Sequence, residues 1–238
     1  MSKKSLLVDV ILGGLTFVTM LLSFYAIFTY APVEKTMGAV QKIFYLHLPL
    51  AMLSFVAFFI VFITSMIYLH AGTPLWDIWA YCAAEVGVVF CTLVLITGSI
   101  WAKPTWNVWW TWDPRLTTVL MLWSMYIAYL MLRKLLKPGA KTSNIAAVFG
   151  IISFANVPLT FVAIRKWRTI HPVVIDSKGI HISPPMLHTL VIGFLAMSLL
   201  FVLLLRLRVR VEQSQHRYYE LRFLAEKQRK QKGENMSS

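Results

Sequence analysis

The sequence is poor in charge and poorer still in acid. Of 238 residues only 14% are charged, and 10 acidic residues face 23 Lys and Arg, for a formal net charge of +13. With 58% hydrophobic residues, too little polar surface remains to cover a water-soluble globule of this size. Cysteine is scarce as well. Cys82 and Cys91 are the only two, they share one apolar segment, and on a helix they face nearly opposite ways, which excludes a disulfide between them. No C-x-x-C pair occurs, which argues against a thiol–disulfide carrier. There is no G-x-x-x-x-G-K-[ST] nucleotide loop and no internal repeat.

What fills the chain instead is apolar sequence in runs close to the roughly 20 residues that span hydrocarbon. Six spans are expected, at about residues 6–30, 43–69, 78–101, 116–136, 145–164 and 185–205, followed by a basic tail at 206–238. The fold class is therefore an all-α membrane protein forming a single integral-membrane domain. The first run lacks a small-x-small exit and reads as a true span, not a cleaved signal. Lys and Arg number 15 on the side of the termini and 8 on the opposite side, so both termini are expected in the cytoplasm. The tail reads as a solvated topology anchor in contact with anionic membrane lipids, and nucleic acid is not an expected partner. Glu85, the one acid well inside a span, is expected to pair with a polar group on a neighbouring helix or on a partner subunit. Asn156-Val157-Pro158 is the one polar, Pro-interrupted point deep in a span.

Five of the nine tryptophans, Trp101, Trp106, Trp109, Trp110 and Trp112, fall in WAKPTWNVWWTWDPR between spans three and four. An indole offers a rigid apolar face and one N–H donor, which suits either a flat ligand or the lipid headgroup layer. The i, i+3, i+4 spacing of Trp106, Trp109 and Trp110 predicts one helical turn with three indoles on one face. Asp113-Pro114 reads as the next helix start, with Asp as N-cap and Pro at the first position. Arg115 beside it is the better candidate for touching an anion.

The orientation places His47, His171, His181 and His188 on the outer side, with His70 and His216 on the cytoplasmic side as ordinary surface residues. His47, at the outer end of an apolar run, is either a functional ligand or a satisfied structural histidine. His171, in WRTIHP, makes the same claim from the longest loop. His181 and His188 read equally well as residues at the entry of the sixth span. Eight basic residues outside, against Glu34, Asp113 and Asp176, call for something anionic on that side. An aromatic platform, imidazoles and cations on one side of the membrane together fit an iron macrocycle with carboxylates on its edge, that is, haem. Lys103, Arg115, Arg165 and Arg168 are the propionate candidates by location.

WNVWWTWDPRLT, preceded by TGSIWAKP, resembles the tryptophan-rich WWD signature of haem-handling membrane proteins of cytochrome c biogenesis. With FYLHLP at the second span and WRTIHP between the fifth and sixth, the chain is most similar to the CcmC, or haem exporter protein C, family over nearly its whole length. The related CcmF and CcsA patterns need more spans and histidines than this chain has. The resemblance implies a multi-pass protein of the bacterial inner membrane with a periplasmic site for haem b, a transient, transported ligand. It implies His47 and His171 as the axial ligands, and Trp106, Trp109, Trp110, Trp112 and Asp113 as the WWD segment. It implies as partners the haem chaperone CcmE, the small protein CcmD and the ATP-binding-cassette complex CcmAB. Such a carrier needs no nucleophile or general base, so the chain is not expected to be an enzyme. Two other classes remain open at this point: a cytochrome b-like electron-transfer subunit, which usually buries histidine pairs within its spans, and a transporter of haem or another anion, which needs a polar path near the midplane.

Overall fold

The computed structural model describes residues 3–34, 37–137, 139–166, 175–176, 179–180 and 182–237. Helix α1, Lys3–Tyr25, runs into a widened π-helical turn, Ala26–Tyr30. A 3-10 turn, Ala39–Ile43, leads into α2, Phe44–Ala71, then α3, Pro74–Trp106, and α4, Pro114–Leu135. The fifth apolar run forms α5, Ala140–Phe154, and α6, Asn156–Lys166, and the last helix is α7, Pro184–Ser237. A two-residue antiparallel pairing, Ile175–Asp176 with Gly179–Ile180, lies between α6 and α7. Six of these segments are long and apolar enough to cross a membrane: Lys4–Tyr30, Ala39–Ala71, Pro74–Trp106, Pro114–Leu135, Ala140–Ala163 and Pro184–Gln228.

The ends of the helices follow from local chemistry. Gly72, at φ 65°, takes the left-handed conformation that closes α2, and its N–H bonds the Tyr68 carbonyl at 2.8 Å. Pro74 and Pro114 stand in the first turns of α3 and α4, where a missing N–H costs nothing. Pro158 has no N–H for the carbonyl of Phe154, where α5 ends, so the fifth span is broken at Ala155. The buried Asn156 side chain there donates to the Thr118 carbonyl at 2.8 Å and ties the break to α4.

The core lies between α2, α3 and α4. Phe58 stacks on Tyr126 with ring centroids 3.8 Å apart, and a Cβ at Gly87 would come within 2.7 Å of Phe58, so only glycine lets α3 approach α2 this closely. Helix α1 packs against α7 at the periphery, with most of its apolar side chains outward as in a lipid-facing helix. At the other end of α7, a Cβ at Gly193 would lie 2.8 Å from the Tyr45 carbonyl oxygen. Pro49 cannot donate to that carbonyl, so α7 crosses α2 where its backbone ladder is interrupted.

The acids of α1 and α3, Asp9, Asp77 and Glu85, are paired at the end of the bundle that carries the N-terminus. Arg133 forks onto Asp77 at 2.5 and 2.7 Å, and Ser143 donates to the same carboxylate at 2.8 Å. Glu85 meets Arg208 of α7 at 2.6 Å, and Arg208 also pairs with Glu212 at 2.8 Å. Asp9 holds Arg206 at 2.6 Å and also pairs with Arg210. Glu85 thus has its partner on a neighbouring helix. Helix α7 passes from apolar to basic sequence without a break, and Arg206, Arg208 and Arg210 are held in ion pairs to α1 and α3.

Candidate functional site

At the opposite end, α3 brings Trp101 and Trp106 toward the first turn of α2, which carries His47. Trp101 is 5% exposed and packs among rings: Phe44 at 6.2 Å, His47 edge-on at 5.9 Å and Trp106 at 6.4 Å. The structure therefore draws a line of aromatic rings from His47 outward along α3. Trp101 Nε1 is buried with no hydrogen-bond partner among the described residues, as is Nε1 of Trp110.

The expected single helical turn through Trp106, Trp109 and Trp110 is not formed. Helix α3 stops at Trp106 because Asn107 takes the left-handed conformation, φ 59°. Lys103 donates to the Asn107 carbonyl at 3.2 Å and to its side-chain oxygen at 3.1 Å, which fixes this ending. Residues 108–113 then run outside helix up to Pro114. Trp109 and Trp112 are 59% and 76% exposed, and Trp110 turns back to meet Trp112 edge-on at 5.9 Å. Two indoles thus face outward while Trp101 and Trp106 pack toward His47.

Asp113 caps α4 as the sequence predicts, accepting from the N–H groups of Arg115 at 2.8 Å and Leu116 at 3.4 Å. Arg115 is the second residue of α4 and is partly buried. His171 and Arg168 and the side chain of Arg165 lie outside the described residues, as does His181. His188 shares a hydrogen bond with the Tyr30 hydroxyl at 3.1 Å, joining the π-helical turn to the start of α7.

His47 is oriented by two residues that sequence reasoning did not single out, Thr97 and Gly98 of α3. Thr97 Oγ1 lies 2.9 Å from His47 Nδ1. The one proton of that hydroxyl goes to the carbonyl of Leu93 at 2.6 Å, with Val94 at 3.3 Å as a second acceptor. The hydroxyl oxygen can then accept from the ring, a contact that suits the tautomer with its proton on Nδ1. This is the arrangement in which a histidine ligates a metal through Nε2 while its other nitrogen fixes the ring. Gly98 supplies the room, since a Cβ there would stand 3.3 Å from His47 Cε1. The signal was present in the segment TGSIWAKP, where Thr97 and Gly98 stand four and three residues before Trp101, the spacings that bring each to the Trp101 face of a helix.

The fold and this end of it define a multi-pass membrane protein with an aromatic face built around one oriented histidine. Residues 3–223 match the family described as heme exporter protein C. The heme exporter protein C of Bradyrhizobium diazoefficiens is 33% identical over 196 residues, which cover 82% of this chain and 74% of that protein. A putative cytochrome c biosynthesis ccmC-like mitochondrial protein of Marchantia polymorpha is 31% identical over 178 residues, 74% of this chain and 75% of that protein. The Escherichia coli heme exporter protein C is 30% identical over 144 residues, 60% of this chain and 59% of that protein. The chain belongs to the heme exporter protein C family.

Proposed function

We propose that this chain handles haem for the biogenesis of c-type cytochromes, holding haem b at its Trp-rich end and delivering it to the chaperone CcmE. The observation that carries this reading is the placement of His47, whose ring is held through Nδ1 by Thr97 at 2.9 Å beside the line of rings from Trp101 to Trp106. Family membership and the names of the relatives support the class of ligand. His47 supplies one axial position and His171 the other. The exposed faces of Trp109 and Trp112 suit a flat apolar ring at the membrane surface, and Trp110 Nε1, which has no hydrogen-bond partner among the described residues, can serve as a donor to a ligand oxygen. Arg115 is the first choice for a propionate, with Arg165 and Arg168. Lys103 spends its ammonium on the Asn107 cap and ranks below them.

In this reading both termini are cytoplasmic, the site faces the periplasm from the bacterial inner membrane, and CcmD and CcmAB complete the assembly. Histidine at a helix end favours a carrier over a cytochrome b-like subunit, because an edge left open at the surface can be passed to a docking protein. The Trp109→Ala, Trp112→Ala double variant is expected to lower the haem recovered on co-expressed CcmE by roughly tenfold, the worth of about two lost aromatic contacts. Unchanged delivery at equal protein level would refute the role of the exposed indoles.

A further inference from the structure

Remote from the Trp-rich turn, α7 leaves a cavity of about 670 Å³ against α1, α2 and α3. Its inner wall is apolar, with Ile60 of α2, Trp79 of α3 and Phe201 of α7. Its polar side comes from one stripe of α7, where Arg206, Arg210 and Gln213 follow one another at helical spacing, with Ser5 of α1 opposite. Among the described residues no acid lines the cavity. Asp9, which lies outside the lining, has only 10% of its side chain exposed, and its single carboxylate is shared by both guanidiniums. One positive charge is therefore uncompensated within the group. The two arginine side chains remain 37% and 24% exposed and both line the cavity, with Arg206 Nη2 donating to Ser5 at 3.4 Å.

A charged fork beside an apolar wall, at the end of a membrane-spanning bundle, matches an anionic amphiphile with its charge at the interface and its chains inward. The two non-ester oxygens of a phosphodiester accept guanidinium forks, and acyl chains cover Ile60, Trp79 and Phe201. We propose that this cavity is a binding site for the headgroup of an anionic phospholipid, held by Arg206 and Arg210.

The test is native mass spectrometry of the full-length protein released from nanodiscs of equal phosphatidylglycerol and phosphatidylcholine. The wild type is expected to retain phosphatidylglycerol roughly fivefold over phosphatidylcholine, the preference that about one uncompensated charge confers at a membrane surface. Two variants are measured beside it. Arg206→Gln with Arg210→Gln is expected to bring the ratio to about one. Val202→Trp fills the cavity while leaving the ion pairs to Asp9 in place, and is expected to lose retained lipid at unchanged thermal stability. Equal retention of the two lipids by the wild type, or a preference that survives both variants, would overturn the proposal. Displacement of the lipid by inorganic phosphate would assign the site to a free anion instead, and displacement by haem would assign it to a propionate. Either result also overturns the lipid assignment.

Discussion

Gly98→Val is expected to lower haem retention on the order of a hundredfold although residue 98 is not itself a ligand. The Cβ alone would stand 3.3 Å from His47 Cε1, the carbon between the two ring nitrogens, and 4.0 Å from Nδ1, and valine adds two methyl groups to that Cβ. The imidazole has to rotate away, and Nδ1 then loses the Thr97 oxygen 2.9 Å distant. Loss of an outer partner that orients a metal-bound histidine typically costs about 10–100-fold in affinity, and moving the ring places this variant at the upper end. Thr97→Val removes the partner while leaving the space, and is expected at the lower end, about tenfold. Gly98→Ala asks only a few tenths of an ångström of the ring and should stay close to wild type. Haem per protein after purification, measured by absorbance, checks the series. Equal occupancy in Gly98→Val and wild type would show that His47 is not held as described.

The second large effect is expected at the opposite end. Asp77→Ala leaves the Arg133 guanidinium, paired at 2.5 and 2.7 Å in the wild type, among Tyr81, Tyr129 and Ser143 with no carboxylate to neutralise it. Both side chains of the pair are mostly buried, at 15% and 13% exposure, where removing one partner costs about 3 kcal/mol or more. The thermal midpoint in detergent should fall by roughly 10 °C. Haem occupancy of the surviving folded protein should not change, because Asp77 and Trp106 stand about 44 Å apart along α3 at 1.5 Å per residue. A stable Asp77→Ala protein would mean that the pair is held by its surroundings and does not hold them.

Features set by neighbours along the chain were readable before the structure. The spans, the Asp113-Pro114 helix start and the break around Asn156-Val157-Pro158 each depend on local hydropathy or on one backbone group. The helical turn expected through Trp106, Trp109 and Trp110 failed for an equally local reason that its spacing concealed. Asn107 adopts the left-handed conformation and Lys103 bonds its carbonyl, so periodicity beyond Trp106 no longer describes a helix. Other features depend on residues far apart in sequence. Thr97 meets His47 across 50 positions, and Arg206 meets Asp9 across 197, so neither α3 nor the basic end of α7 announces its partner. Arg206, Arg208 and Arg210 look like the start of a solvated tail because the acids that hold them are on α1 and α3.

The most direct measurement is the optical spectrum of the purified protein, oxidised and reduced, beside His47→Ala, His171→Ala and the double variant, each reconstituted with excess haem. A six-coordinate, low-spin spectrum that each single change perturbs and the double change abolishes is the predicted result. Haem bound with an unchanged spectrum in the absence of both histidines would contradict the proposed ligation by His47 and His171.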